Sequence, residues 1–193
     1  MTVHDLIVSR RTIRQFKQNP VARALLTRLV DAGRLAPSAA NLQPLEFIVV
    51  DERTLRERIF PCLKWAAYIA PRGDPRPGFE PCAYIVVLVN TAVREKMYEY
   101  DVGAAVENMI LAALAEDVGS CWLISIDRAK LAELLGVPAG YRVDSVLALG
   151  PAAETPVVEE LRDSVKYWKD DMGRLHVPKR PLAKVLHLNG FRD

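Results

Sequence analysis

Histidine and cysteine are scarce in this sequence, three of each in 193 residues, and neither is placed for metal chemistry. His4, His176 and His187 lie far apart, none at ligand spacing from a cysteine or carboxylate. Cys62, Cys82 and Cys121 share no short spacing either, and Cys82 and Cys121 sit in apolar runs as small core hydrophobes. Also missing are a Gly-x-Ser-x-Gly elbow, a glycine-rich dinucleotide fingerprint and a phosphate loop ending in Lys-Ser/Thr. Hydrolytic and metal-dependent chemistry therefore have no motif behind them. No apolar run approaches the roughly 20 residues that a membrane-spanning helix needs. The N-terminus reads as an amphipathic helix rather than a signal peptide, so a cytoplasmic protein is expected. The net charge of +2 is too small for a general polyanion binder, which argues against nucleic acid as a partner.

What is present is ordinary in bulk: 50% hydrophobic and 26% charged residues, enough for one well-buried core. Thr2, with Asp5 three residues on, caps a first helix whose apolar positions are Val3, Leu6 and Ile7. A second helix is expected from Val21 to about Leu35, with Pro20 just ahead of it. Leu45–Val50 reads as a buried strand and Glu52–Ile59 as a short charged helix. Four prolines and two glycines between residues 71 and 81 exclude regular structure there. Ala83–Asn90 is almost wholly apolar and reads as a central strand. Tyr100–Val118 is apolar around most of its circumference and reads as a buried helix. A strand at Cys121–Ile126, a helix at Asp127–Leu135 and a strand at Val143–Leu149 follow, and beyond Pro151 the chain reads as an irregular polar tail. No linker or repeat divides it, so a single domain over residues 1–193 is expected.

Two segments stand out chemically. Residues 9–17 gather Arg10, Arg11, Arg14 and Lys17 around Thr12, a set of charge-assisted donors suited to a tethered phosphate. Residues 36–44, Ala-Pro-Ser-Ala-Ala-Asn-Leu-Gln-Pro, are small-sided and polar, so their backbone could approach a flat ligand closely. Each has a bland alternative. The arginines could decorate a helix C-terminus, where cations suit the dipole, and Asn41 and Gln43 could be turn residues. Lys179-Arg180 alone would be an exposed basic pair.

In order along the chain, however, the Arg-Arg-Thr-Ile-Arg-Gln-Phe opening, the 36–44 segment leading into Glu-Phe-Ile-Val-Val, Asp101–Asn108, Val118–Trp122 and Lys179–Leu182 resemble the nitroreductase family of flavin-dependent oxidoreductases. The resemblance implies an α+β fold, a mostly antiparallel sheet flanked by helices, with the long central helix at the interface of a homodimer. It implies FMN as cofactor, NADH or NADPH as electron donor, and a nitroaromatic, quinone or related small acceptor reduced by a ping-pong mechanism. Arg10, Arg11, Thr12 and Arg14 would hold the phosphate, the ribityl chain and the pyrimidine edge, Arg14 also stabilising negative charge on the reduced ring. Pro37, Ser38, Ala39 and Asn41, with Gln43 nearby, would pack on the flavin from the second subunit. Ile124 and Ser125 would offer backbone amides to the ring; relatives often carry Gly or Glu-Gly there. Lys179 and Arg180 would close over the phosphate. Apart from the resemblance, Trp65 and Tyr68, ahead of the proline-rich loop, are candidate substrate contacts or ordinary packing, and Trp168 and Tyr167 are weaker candidates. No metal and no side-chain nucleophile are expected, because the flavin carries the electrons. Other flavin chemistry on the same fold (dehalogenation, dehydrogenation, flavin fragmentation) and a non-catalytic anion-binding module are the alternatives.

Overall fold

The computed structural model describes residues 2–191. Its helices are α1 (Val3–Ser9), α2 (Arg23–Arg34), α3 (Arg53–Ile59), α4 (Glu99–Ala115) and α5 (Arg128–Leu135). Its strands are β1 (Leu45–Val50), β2 (Ala83–Asn90), β3 (Val118–Leu123) and β4 (Tyr141–Pro151), then β5 (Val157–Glu160), β6 (Trp168–Lys169) and β7 (Leu175–Lys179).

The first four strands form one antiparallel sheet in the order β1-β2-β4-β3. Strand β2 is apolar at nearly every position because both of its faces are covered. Ile85, Val87 and Val89 enter a core with Leu26 and Leu29 of α2 and Val106 and Met109 of α4. Tyr84, Val86 and Leu88 point the other way, among Ile59, Cys121 and Leu131. Alternation along one strand thus feeds two cores.

Local signals set most boundaries. Thr2 and Asp5 form the expected reciprocal capping box at α1. The Glu52 carboxylate accepts from the amides of Thr54 and Leu55 and starts α3. Asp127 caps α5, and Gly136, at φ +61°, ends it. Helix α1 buries no residue, and Val3, Ile7 and Val8 are exposed.

Three expectations need correction. The long helix ends at Ala115, not Val118, and β3 begins at Val118 rather than Cys121. Asp117, at φ +57°, breaks the helix, and Gly119 and Ser120 pair with Gly150 and Leu149 instead of forming a loop. Strand β4 extends to Tyr141 and Pro151, beyond the expected 143–149. The region after Pro151 is a second sheet, order β5-β7-β6, rather than an irregular tail. Its centre is a half-buried His176 ring, Nδ1 facing Glu159 Oε2 at 3.1 Å and Nε2 facing Asp170 Oδ2 at 3.3 Å. Trp168 stacks on that ring at 4.2 Å and donates its indole N–H to Glu159. Leu175 is buried, but the contacts joining Glu159, Trp168, Asp170 and His176 are polar and stacking ones, invisible to periodicity.

Candidate functional site

The arginine-bearing segment 10–17 is neither helix nor free loop. It lies as an arm along the edge of the sheet, beside β3. The Ile13 amide donates to the Ser120 carbonyl at 2.8 Å, and Thr12 bridges Ser120 in parallel. Further on, Phe16 bridges Ala152 and Lys17 N donates to the Pro151 carbonyl at 2.8 Å. Ile13, Gln15 and Phe16 are buried. The Gln15 amide group is spent on the 71–77 loop, donating to the Asp74 carbonyl at 2.9 Å and accepting from the Arg76 amide at 3.1 Å.

Gly119 makes this approach possible. A Cβ there would stand 2.9 Å from Cγ1 and 3.1 Å from Cβ of Ile13, atoms too close to the arm's backbone to move aside freely. Gly119→Ala should therefore displace the arm and cost about 1–3 kcal/mol, the usual range for an overpacked site. Chemical denaturation will read the loss, and an unchanged midpoint would contradict the close packing.

Anchoring the arm puts two guanidinium groups side by side. Arg10 caps the C-terminus of α1 and has one distant carboxylate, Glu107, at 3.6 Å. Arg11 Nη1 donates only to carbonyls, Val8 at 2.8 Å and Arg10 at 2.6 Å. Burial, and after it the Arg10 charge, lower the pKa of Arg11. Both line a cavity of about 270 Å³ with Gly119, Ser120 and Thr155 and with two carboxylates, Asp117 and Glu154. Glu154 accepts from the Arg14 amide, and Arg11 has no ion-pair partner among the described residues, so these adjacent cations can accept an anion.

Arg14 points elsewhere. Its amide donates to Glu154 Oε1. Its guanidinium lies 5.4 Å from the centre of the Tyr167 ring, and its Nε is buried without a partner. The guanidinium also sits beside Cys121, whose thiol burial pushes up to about 11 despite that neighbouring charge. Cys121, like Cys62 and Cys82, is a buried free thiol. Tyr167 in turn packs on Tyr68 at 5.0 Å, and Lys166 Nζ stands 5.9 Å from the Tyr68 ring. Tyr68 is exposed, whereas Trp65 is 6% exposed and packs against Phe60 in the second core.

The 37–43 segment is held in an unusual backbone. Ala40, Asn41 and Gln43 have φ of +52°, +54° and +51°, a region that costs an L-residue roughly 1–2 kcal/mol each. Ser38 Oγ accepts from the Gln43 amide at 3.0 Å, and Gln43 Nε2 donates to the Asn41 carbonyl at 3.2 Å. The anchor is the buried Asp101 at the start of α4, whose Oδ1 accepts from the Ala39 amide at 3.1 Å. Arg94 stands 3.7 Å from Asp101 Oδ2 and 3.5 Å from the Ala39 carbonyl. Neither Asp101 nor Arg94 carries a signal of its own in the sequence that assigns it to this loop. Ser38, Gln43 and Asp101 line a separate cavity of about 140 Å³ with Pro37. Asp101→Ala should release the loop and cost about 1.5–3 kcal/mol, the range for a hydrogen bond to a charged group. Faster amide exchange at Ala39 would accompany the loss, and protection equal to the parent would contradict this anchor.

Within one chain the two predicted segments are not face to face. Both are tied to α4, Arg10 at Glu107 and Ala39 at Asp101. Six helical residues separate those anchors by about 9 Å along the axis and about 120° around it. Ile124 and Ser125 leave β3 at the far end of the sheet edge, with Ile124 exposed. The Ile124 carbonyl accepts from Arg128 at 3.0 Å and the Ser125 carbonyl from the Lys64 amide at 3.0 Å. Among the described residues, neither of their own amides donates to another backbone group. Lys179 ends β7 in the second sheet, and Arg180, just after it, donates to the Lys184 carbonyl at 2.6 Å. They are not among the residues lining the Arg10–Arg11 cavity.

These features define an α+β protein with an arginine-bearing arm laid along the edge of an antiparallel sheet. The chain belongs to the nitroreductase family, whose model matches residues 7–151. It is 31% identical over 154 residues to a proposed NADH dehydrogenase/NAD(P)H nitroreductase of Archaeoglobus fulgidus, covering 75% of this chain and 82% of that one. A 5,6-dimethylbenzimidazole synthase of Rhodospirillum rubrum is 27% identical over 173 residues, 78% of this chain and 82% of the relative. Among solved structures, a proposed nitroreductase from Desulfovibrio desulfuricans in complex with FMN superposes with a TM-score of 0.70 at 25% identity, covering 100% and 99% of the two chains. Among the described residues no helix is long and apolar enough to cross a membrane, and no cluster of three or more His, Cys, Asp or Glu could hold a metal.

Proposed function

We propose that the chain is an FMN-dependent oxidoreductase that takes electrons from NADH or NADPH and reduces a small quinone, nitroaromatic or related acceptor. The observation that carries this reading is the Arg10–Arg11 pair at a cavity beside Gly119, where Arg11 has no ion-pair partner among the described residues, Arg10 has only a long contact to Glu107, and the lining carboxylate Glu154 is engaged by the Arg14 amide. That donor set fits a phosphate monoester, and the buried, unpartnered Arg14 Nε and the free amides at Ile124 and Ser125 fit a polar ring edge beyond it. FMN, when bound, supplies the two-electron redox chemistry for which the chain has no side chain of its own.

Each residue then has a positional task. Arg10 and Arg11 bind the phosphate, Thr12 orients the chain leading from it, and Arg14 holds a fixed positive charge near the ring. Pro37, Ser38, Ala39, Asn41 and Gln43 serve the site of a second copy. The separation of the two segments on α4, and the apolar side chains left open on Val3, Ile7, Leu35, Leu42 and Tyr100, support such a homodimer. Lys179 and Arg180 close over the phosphate in the assembled molecule. Tyr68 and Tyr167, packed together with tilted rings beside Arg14, border the substrate space; Trp65 supports them from the core.

Steady-state assays with NADH and NADPH against a panel of quinones and nitroaromatics test the activity. Parallel double-reciprocal lines are expected, since both substrates take turns in one pocket. An FMN-loaded protein that oxidises neither nucleotide would overturn the reading. The relative named as a 5,6-dimethylbenzimidazole synthase supports a second reading, a biosynthetic reaction on the same fold. Recovery of 5,6-dimethylbenzimidazole from FMN, reduced nucleotide and dioxygen as the oxidant, with no acceptor turnover, would favour it.

A further inference from the structure

On the face of the main sheet away from α2 and α4, a cavity of about 660 Å³ opens between α3, the Phe60 turn, the 78–81 loop and β2. Two of its lining residues, Tyr84 and Arg56, carry donors without partners. Tyr84 is 1% exposed, yet its hydroxyl makes no hydrogen bond among the described residues, and burial pushes the phenol far above its ordinary pKa. It is thus a donor at any working pH. Beside it, Arg56 donates Nη1 to the Pro81 carbonyl at 2.9 Å, while its buried Nε has no partner. No carboxylate lies within ion-pairing distance of Arg56 among the described residues, whereas the nearby cation Arg53 is closed on Glu57 at 2.8 Å.

The remaining wall sets the ligand's other properties. Phe60 and Pro81 supply apolar surface. Glu80 lines the cavity too, its carboxylate accepting from the Gly78 amide at 2.9 Å. That negative charge tolerates one anionic group bound to Arg56 but repels a doubly charged one.

We infer that this cavity binds a small aromatic monocarboxylate, whose carboxylate accepts from the Tyr84 hydroxyl and pairs with the Arg56 guanidinium while its ring packs against Phe60 and Pro81. The site is separate from the Arg10–Arg11 cavity, and the inference does not depend on flavin chemistry. The arm ends at its rim, where the Gln18 side chain donates to the Glu80 carbonyl at 2.8 Å.

Isothermal titration of the purified full-length protein with benzoate tests this. Saturable binding in the millimolar range or tighter is expected, with Tyr84→Phe and Arg56→Met each weakening it about 10-fold, the loss of one charge-assisted hydrogen bond. Inorganic phosphate should not displace benzoate. Glu80→Gln should tighten benzoate and admit phosphate. Should Tyr84→Phe fail to fold, Arg56→Met, altered on a partly exposed helix, still decides the matter. No saturation by roughly 10 mM benzoate, equal affinity in the variants, or displacement by phosphate would overturn the assignment.

Discussion

Replacing Arg11 with alanine should raise the FMN dissociation constant about 10- to 150-fold, the equivalent of about 1.5–3 kcal/mol for one charge-assisted contact. The folded apoprotein should lose little, because Arg11 donates only to the carbonyls of Val8 and Arg10 and sits against the charge of Arg10. A residue that matters for the ligand and hardly for the fold is what a positioned binding group should be. Arg11→Lys should recover part of the affinity, since a point charge replaces the electrostatics but not the two-pronged geometry. Fluorescence titration of the apoprotein with FMN measures the change, and equal thermal midpoints show that it is not an unfolding effect. Unchanged affinity in Arg11→Ala would remove the phosphate from this arm.

Phe16→Ala is expected to act in the opposite way, through the scaffold. Phe16 is fully buried, and its ring and Cβ lie where a side chain at Gly150 would have to go, next to Cys82. Truncation should leave a cavity and cost about 3–5 kcal/mol of unfolding free energy, read in urea melts. Because Phe16 closes the arm on Ala152 while Arg10, Arg11 and Arg14 precede it, FMN binding should weaken as well. Osmolytes that favour compaction should restore part of that binding in Phe16→Ala and none in Arg11→Ala. A loss below about 1 kcal/mol would show that the arm is not a packed element.

The pattern of residues made much of this architecture readable. Continuous apolarity marked β2 as a central strand, and the Thr2–Asp5 capping box marked the start of α1. The family was readable from ordered motifs, now matched over residues 7–151. Local rules failed where tertiary contacts override them. The strand expected from Cys121 begins at Val118, and the missing side chain of Gly119 admits Ile13 beside it. The second sheet escaped notice because His176, Glu159, Asp170 and Trp168 hold it through polar and stacking contacts dispersed over 18 residues. The site was legible as residue types but not as arrangement. Nothing in the sequence shows Asp101 and Arg94 gripping Ala39, or Tyr167 returning from the second sheet to cover Arg14. Those are long-range pairings without periodicity, and only the folded chain reveals them.

The account rests on one flavin phosphate held by the Arg10–Arg11 arm. Titrating the purified apoprotein with FMN, followed by the quenching of flavin fluorescence, tests it most directly. Saturation at one FMN per chain, weakened by added salt as charge-assisted contacts require, is the predicted result. A protein that stays colourless and leaves the fluorescence of FMN unaltered would contradict it.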